Sequence, residues 1–317
     1  MMRIITLETP LDLPAPVVTV GQCDGVHLGH VAVLEAVCAE AASRKGTGVV
    51  VTFDPHPRTV IDPTQAPGIL TSLEEKVRRV VPLGIDLLVV VAFTQALREL
   101  SPEAFVEDYL VRRLRAQVVV VGYDHGFGKG RRGGLETMQA LGRDFGFEVR
   151  SVAPVLVDGK PVSSTRIRRL VMEGNLEAAC RLLGGGYPVA GRVAHGDGRG
   201  RTLGVPTANL AIEEPGKLMP PDGVYAAFAY LPSGDRCDAV LNLGYRPTFN
   251  GRSRALEAHI LDFEGDLYGQ RLTLELVHRI RGEQRFETPA ALIAQIKNDL
   301  EAARDVLSHV DTTLLRR

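Results

Sequence analysis

Residues 21 to 30, GQCDGVHLGH, place two histidines three apart, His27 and His30, with Gly29 just before the second. An imidazole donates or accepts a hydrogen bond and titrates near neutrality, so such a pair suits either a metal or an anion. A metal lacks further ligands here: Cys23 and Asp24 sit in the same turn, and one strand-end turn does not supply four ligands. The apolar run Val17 to Val20 leads into the stretch, and a helical pattern from Val31 to Ala42 follows it. A helix N-terminus offers unpaired N–H groups and the positive end of its dipole, and both suit a phosphate. Gly21, Gly25 and Gly29 remove side chains where a ligand approaches the backbone. An anion site with two imidazoles as added donors is the sharper reading; a solvated helix start that carries histidines is the bland one.

Two further segments bear on that choice. TFDPHP at 52–57 sets His56 between two prolines at the end of an apolar run. VSSTRIR at 162–168 gives Ser163, Ser164 and Thr165 at a helix start, with Arg166 and Arg168 behind them. Hydroxyls, helix N–H groups and guanidiniums together hold a triphosphate, although SSTRIRR alone would be a capped basic helix face. Later in the chain, GDGRGRTLGVPTAN at 196–209 contains Gly196, Gly198, Gly200 and Gly204, which let backbone N–H groups turn toward phosphates. Thr207 and Asn209 are two apart, hence on one face of an extended segment, and their oxygens are hard ligands of the kind Mg²⁺ takes. By contrast, GKGRRG at 128–133 matches the dinucleotide spacing G-x-G-x-x-G, but lies too far beyond the preceding apolar run to be a strand–helix turn.

These residues need elements to hold them. The first half alternates valine-rich runs with helical patterns: strands are predicted at Val17–Gly21, Gly48–Phe53, Ile85–Ala92, Gln117–Gly122 and Glu148–Val152. Such runs fit a parallel sheet buried on both faces, in an α/β doubly wound arrangement. Ser72 with Glu75 predicts a capping box, and Ser101-Pro102 predicts an N-cap followed by a first-turn proline. GGGY at 184–187 marks a boundary, giving expected domains 1–183 and 188–317. Beyond it, short segments such as GVYAAFAYL, RCDAVLNLG, ALEAHILDF and RLTLELVHRI predict an antiparallel barrel or sandwich. A closing amphipathic helix is capped by Thr288, with Leu292, Ile296, Leu300, Ala303 and Leu307 on one face.

Bulk properties limit the partners. The chain has 317 residues, 45% hydrophobic and 24% charged, with a formal charge of −1, so neither nucleic acid nor a membrane surface is expected to attract it. The pairs Arg112-Arg113 and Arg131-Arg132 and the run from Arg166 to Arg169 read as solvated faces or local phosphate contacts. Four cysteines without a C-x-x-C pairing are expected to stay reduced, in a cytoplasmic protein. Neither a signal peptide nor a membrane span is expected.

Taken with their order, GQCDGVHLGH, TFDPHP, LSPEAFV, VVVVGYDHGFG, VSSTRIR, HGDGRGRTLGVPTANL, PPDGVY, NLGYRPTF, LEAHILDFEGDLYG and RIRGEQRF make the chain resemble the bacterial bifunctional riboflavin kinases and FAD synthetases. The resemblance implies a Rossmann-like nucleotidyltransferase domain that adenylylates FMN, then a six-stranded barrel that phosphorylates riboflavin. It implies ATP as co-substrate and Mg²⁺ for both steps. His27 and His30 then face the triphosphate with Ser163, Ser164, Thr165 and Arg168, while Thr207 and Asn209 hold the metal. It makes Glu257 the general base, where the strand pattern alone gives an outward, solvated glutamate. It also puts Asp124, Asn242 and Arg246 at the flavin. Departures include Cys23 and Val205, where the family usually has Phe, and His125-Gly126, where an aromatic residue often follows Asp124. Those at 23 and 125–126 fall in the adenylyltransferase half and imply weaker FMN binding there. A kinase with an impaired first domain and a flavin-binding regulator without turnover are the competing readings.

Overall fold

The computed structural model describes residues 2–61, 68–124, 126–196, 204–214, 216–248 and 251–310, with the backbone alone at 131, 245–248 and 251–254. Two compact units make up the chain: Met1–Ile69 with Lys76–Ser163, and Leu70–Glu75 with Ser164–Arg317. The 184–187 glycine stretch lies inside the second unit. All four cysteines are free thiols, and among the described residues no helix is long and apolar enough to cross a membrane.

The first unit is built on six strands: β1 (Arg3–Thr6), β2 (Val17–Val20), β3 (Gly48–Asp54), β4 (Leu87–Ala92), β5 (Val118–Gly122) and β6 (Glu148–Val152). They pair in parallel in the order β1-β4-β3-β2-β5-β6. Along this part of the chain run α1 (Leu28–Ser43), α2 (Pro57–Ile61), α3 (Leu73–Val80), α4 (Gln95–Arg98), α5 (Pro102–Phe105) and α6 (Leu135–Phe145). The valine-rich pattern follows from burial on both faces. In β3, Val49 and Val51 enter one core with Phe105 and Met138, while Val50 enters the other with Leu34 and Val37 of α1. The strand that sequence did not predict, β1, is an edge with Ile4 49% exposed, so it lacks the buried-strand signature. A short hairpin was also missed: β7 (Leu156–Val157) and β8 (Lys160–Pro161) turn through Asp158 and Gly159, both at positive φ. Asp-Gly is a strong signal for such a turn.

From β2 the chain works outward to β3 and β4, then returns to β5 on the other side of β2. Open α/β sheets bind ligands at the C-terminal strand ends where the order reverses. Here the ladder between β2 and β5 covers Val17↔Val118 and Val18↔Val119 and stops short of the strand ends. After α5 the helix continues with π-type turns over Val106–Arg113, so ion pairs form five residues apart, Arg112 with Glu107 and Arg113 with Asp108. In GKGRRG, a Cβ on Gly128 would meet Pro102 at 2.7 Å and one on Gly133 would meet the Phe127 ring at 2.7 Å. Those glycines serve close packing.

The second unit holds helices α7 (Ser164–Glu173) and α8 (Leu176–Leu183) and a closed antiparallel barrel. Its strands are β9 (Tyr187–Ala194), β10 (Ala208–Ala211), β11 (Gly223–Tyr230), β12 (Arg236–Thr248), β13 (Gly251–Ile260) and β14 (Arg271–Gly282), ordered β10-β13-β12-β11-β14-β9. Closure removes the exposed edges that an open sheet would leave. Between sandwich and barrel, the barrel is observed. One part overhangs: β12 pairs with β11 as far as Leu243, while Gly244–Thr248 continues against Gly251–Ala255 of β13. Helix α9 (Pro289–His309) lies on the outside, its Ala303 and Leu307 packed on Val224, Ala226, Phe228 and Val240. Thr288 caps it, accepting from Ala291 N at 3.2 Å, as expected.

Residues 70–75 are joined to the barrel by buried charge. Ser72 N donates to Glu75 Oε2 at 2.8 Å and Glu75 N to Ser72 Oγ at 3.2 Å, which is the capping box. Glu75 also accepts from Lys217 Nζ at 2.6 Å and from Ala190 N, on β9, at 2.8 Å. Lys217 gives a further bond to Leu70 O at 2.6 Å and lies over the Tyr187 ring. With side-chain exposures of 2% and 1%, neither Lys217 nor Glu75 reaches solvent, so deleting one strands the other. Lys217→Met is therefore expected to cost about 3–5 kcal/mol in urea denaturation. Adding Glu75→Gln should recover part of that loss, because no uncompensated charge remains.

Candidate active sites

In the first unit, the turn after β2 is fixed by Gly21 N donating to Val51 O at 3.0 Å. The turn then needs positive φ at Cys23 (47°), Gly25 (90°) and Val26 (40°). Glycine suits the middle position because it has no Cβ to clash. His27 is the N-cap of α1: its Nδ1 accepts from His30 N at 3.4 Å, and the two rings stack with centroids 3.7 Å apart. A Cβ on Gly29 would come within 3.2 Å of the His27 ring, so this glycine makes room for the imidazole. The same Cβ would lie 3.7 Å from Val162 O, which puts the residue before Ser163 beside the turn. Asp124 lies exposed just past β5, at the same C-terminal edge of the sheet. His125 falls outside the described residues.

Electrostatics at this turn differ from what two histidines alone suggest. Burial, with Lys76 adding to it, lowers the His30 pKa to about 3. Burial and then His30 hold His27 well below the ordinary imidazole value. Both rings are thus neutral at physiological pH, and hydrogen bonding is what they offer. Since His27 Nδ1 accepts, its proton is on Nε2. Burial raises the Cys23 thiol to about 11, which keeps it protonated. The buried cation of the site is Lys76, 2% exposed, whose Nζ donates to Thr52 Oγ1 at 2.8 Å, while half-buried Arg79 acts on His27 through space. Burial lowers the Lys76 pKa, against the opposing charges of Asp24 and Asp54. His56 Nε2 stands 4.0 Å from Asp24 Oδ2. Nothing in EEKVRRVV distinguishes Lys76 from a solvated helix lysine; its burial comes from where α3 lies.

Ser164 and Thr165 open α7 and Arg168 follows on it, in the second unit; Thr165 is exposed and Arg168 is 8% exposed.

In the barrel, register assembles the second cluster. Asn209 on β10 stands opposite Glu257 on β13, and Glu257 opposite Asn242 on β12. Asn242 then pairs with Val224, and Val224 with Arg281 on β14. Val224 packs under α9, so this row runs along the outer face. Glu257 does point outward, as the strand pattern alone predicts, but that face is half-covered. Thr207 Oγ1 lies 3.4 Å from Glu257 Oε2, and Asn209 is close enough to Gly196 that a Cβ there would meet its amide at 2.1 Å. His259 Nδ1 and Pro206 O, 2.7 Å apart, hold the segment before Thr207. Gly204 is exposed with φ 76°, while Gly198 and Gly200 lie outside the described residues. Arg246 is described by its backbone alone, on the overhanging part of β12.

One pair in this row escaped the sequence. Arg281 grips Asp299 of α9 through Nε at 3.0 Å and Nη2 at 2.7 Å. The signal was present: Asp299 lies three residues after Ile296 and one before Leu300, within the apolar stripe, where a carboxylate needs a partner.

The donor set at the second cluster is a hydroxyl, an amide and a carboxylate, all hard oxygens that fit a small divalent cation holding substrate phosphates. Among the described residues there is no cluster of three or more His, Cys, Asp or Glu able to hold a metal. A metal site here therefore relies on neutral oxygens around a single carboxylate.

Comparison with known proteins also divides the chain in two, at a boundary near that of the compact units. The FAD synthetase family model matches residues 10–166, and the riboflavin kinase model residues 183–307. The bifunctional riboflavin kinase/FMN adenylyltransferase of Escherichia coli K12 is 38% identical over 91% of this chain and 92% of its own length. That of Listeria monocytogenes is 39% identical over 91% of each chain. A crystal structure from Streptococcus pneumoniae described as a macrolide-efflux protein superposes with a TM-score of 0.83 at 31% identity, covering 95% of this chain and 98% of that one. Two family models in series, on a parallel sheet and a closed barrel, with close relatives along nearly the whole length, establish that the chain belongs to the family of bifunctional riboflavin kinase/FMN adenylyltransferases.

Proposed function

We propose that residues 188–317 phosphorylate riboflavin to FMN, and that residues 1–183 adenylylate FMN to FAD with release of pyrophosphate, ATP being the co-substrate of both steps. Residues 184–187 join the two. The observation that carries the reading is the outer-face row of Asn209, Glu257 and Asn242, with Thr207 3.4 Å from the Glu257 carboxylate. A carboxylate among neutral hydrogen-bonding oxygens suits deprotonation of a hydroxyl. Four free thiols suit work in the reducing cytoplasm.

In the kinase step, Glu257 takes the proton of the riboflavin 5′-hydroxyl as its oxygen attacks the γ-phosphorus of ATP. The bond to the bridging oxygen breaks and ADP leaves. Thr207 and Asn209 would hold Mg²⁺, which when bound neutralises charge on the transferring phosphates. Gly196 keeps the Asn209 amide in place by leaving it room. Gly198, Gly200 and Gly204 complete the phosphate loop, and Asn242 and Arg246 contact the flavin.

In the adenylyl step, an FMN phosphate oxygen attacks the α-phosphorus of ATP, and the electron pair of the broken bond leaves with pyrophosphate. No covalent enzyme intermediate is needed, so the protein's work is alignment and charge stabilisation. Neutral His27 and His30 donate hydrogen bonds at the positive end of α1. Ser163, Ser164, Thr165 and Arg168 bind the phosphates, and Asp124 contacts the flavin.

Incubating the pure protein with riboflavin, ATP and Mg²⁺ and resolving the products tests both steps. FMN followed by FAD is expected; FMN alone rejects the adenylyltransferase, and neither product rejects the whole reading. Glu257→Gln should keep the fold and slow FMN formation about 10²–10⁴-fold. A variant within about threefold of the parent rules Glu257 out as base. Asn209→Ala should cripple FMN formation while supplied FMN is still converted to FAD; equal loss of both activities would point to misfolding. The imidazoles give a pH test. His30 has an ordinary pKa of 6.5 and a folded value of about 3, so between these the unfolded chain binds a proton that the folded ring refuses. Its contribution to stability is full above that window and is lost as pH falls through it. The urea midpoint should therefore drop from pH ~7 to ~4.5, and His30→Gln should flatten that slope.

A further inference from the structure

We infer that Lys76 is the buried cation that receives the pyrophosphate end of ATP in the adenylyl-transfer site, an assignment that rests on the adenylyltransferase reading above. Its Nζ makes one hydrogen bond, to Thr52 Oγ1 at 2.8 Å. Thr52 Oγ1 in turn donates to Gln22 O at 3.2 Å, so the lysine is wired to the turn that carries His27 and His30. Among the described residues it is the one buried lysine or arginine of the first unit. Asp24 and Asp54 act on it through space, yet neither forms an ion pair with it within 4.0 Å.

A buried ammonium with one neutral hydrogen bond is costly, and folds normally pair such a charge or leave it out. The second unit shows the normal solution, with Lys217 against Glu75 at 2.6 Å. Lys76 has no such carboxylate. Two buried groups of the histidine turn have no hydrogen-bond partner, His30 Nδ1 and Gln22 Oε1. A buried ammonium held only by a hydroxyl, near enough to act on His30, and an imidazole nitrogen without a partner together mark a place for an anion. The neutral imidazoles sharpen the point, because they leave positive charge to Lys76, which is buried, and to half-buried Arg79, which acts on His27 through space. When the bond between the α-phosphorus and the leaving oxygen breaks, charge grows on pyrophosphate, and the ammonium stabilises it through a charge-assisted hydrogen bond.

Lys76→Met keeps the length and removes the charge; Lys76→Arg keeps the charge. In the full-length protein, four quantities are measured: FAD formation from supplied FMN, inorganic pyrophosphate affinity by calorimetry, the urea midpoint, and FMN formation at the barrel as a folding control. Lys76→Met is expected to lower kcat/KM for ATP in FAD formation, and pyrophosphate affinity, at least about tenfold. Its urea midpoint should equal or exceed that of the parent, because an unpaired buried charge has gone. Lys76→Arg should retain part of the pyrophosphate affinity. Parental FAD formation and pyrophosphate binding in Lys76→Met would overturn the inference. So would failure of that variant to fold or a lower midpoint, since either makes Lys76 a structural counter-ion for Asp24 and Asp54. A parent that makes no FAD, but loses pyrophosphate binding on Lys76→Met, would sink the adenylyltransferase reading and keep the anion site.

Discussion

Register, the pairing of residue with residue across neighbouring strands, is the constraint on which both clusters depend. In the parallel sheet, Val20 stands opposite Val51, so Gly21 is tied to Val51 O and the next residue, Gln22, meets Thr52. In the barrel, Asn209, Glu257, Asn242, Val224 and Arg281 fall in one row across five strands. A slip of one residue would turn each of these side chains to the opposite face. Burial prevents the slip: Leu256 and Ala258 flank Glu257 and must stay inside, so the carboxylate must stay outside.

Charge is treated in two ways by this one chain. Where it serves the fold it is paired and fully bonded, as in Glu75 with Lys217 and Arg281 with Asp299. Where chemistry is proposed, groups are left short of partners or held neutral, as with Lys76, His27 and His30. Preorganised donors stabilise developing charge without having to reorient, and the desolvation they carry is a permanent cost to stability. Good pairing elsewhere offsets that cost.

Strands β2 to β5 were legible because double burial demands continuous apolar runs, and the caps at Ser72, Ser101 and Thr288 because capping is local chemistry; β6, the other edge, was read although it is largely exposed. The edge strand β1 was not, since one exposed side dilutes its pattern. Strands β9 and β10 lack a clean alternation: Pro188 and Gly191 interrupt β9, and β10 is only four residues long. The histidine turn and the Thr207–Asn209 pair could be read from spacing within one segment. Lys76 and the Arg281–Asp299 pair could not, because their meaning lies in what tertiary packing brings around them. Gly29 was legible as a requirement but not for its reason: the His27 ring fills the space its side chain would take.

The extension of β12 and β13 past Leu243 has a consequence for the protein in crowded solution. Over Gly244–Thr248 and Gly251–Ala255 the two strands run on beyond the β11 ladder, and a ribbon of that kind presents backbone N–H and C=O groups along its border. Such a border is a template on which a neighbouring molecule can lay a strand. The backbone here carries one deterrent, since Pro247 has no N–H to offer such a strand. Colloidal stability is thus guarded, on this overhanging ribbon, by a proline that withholds a backbone donor.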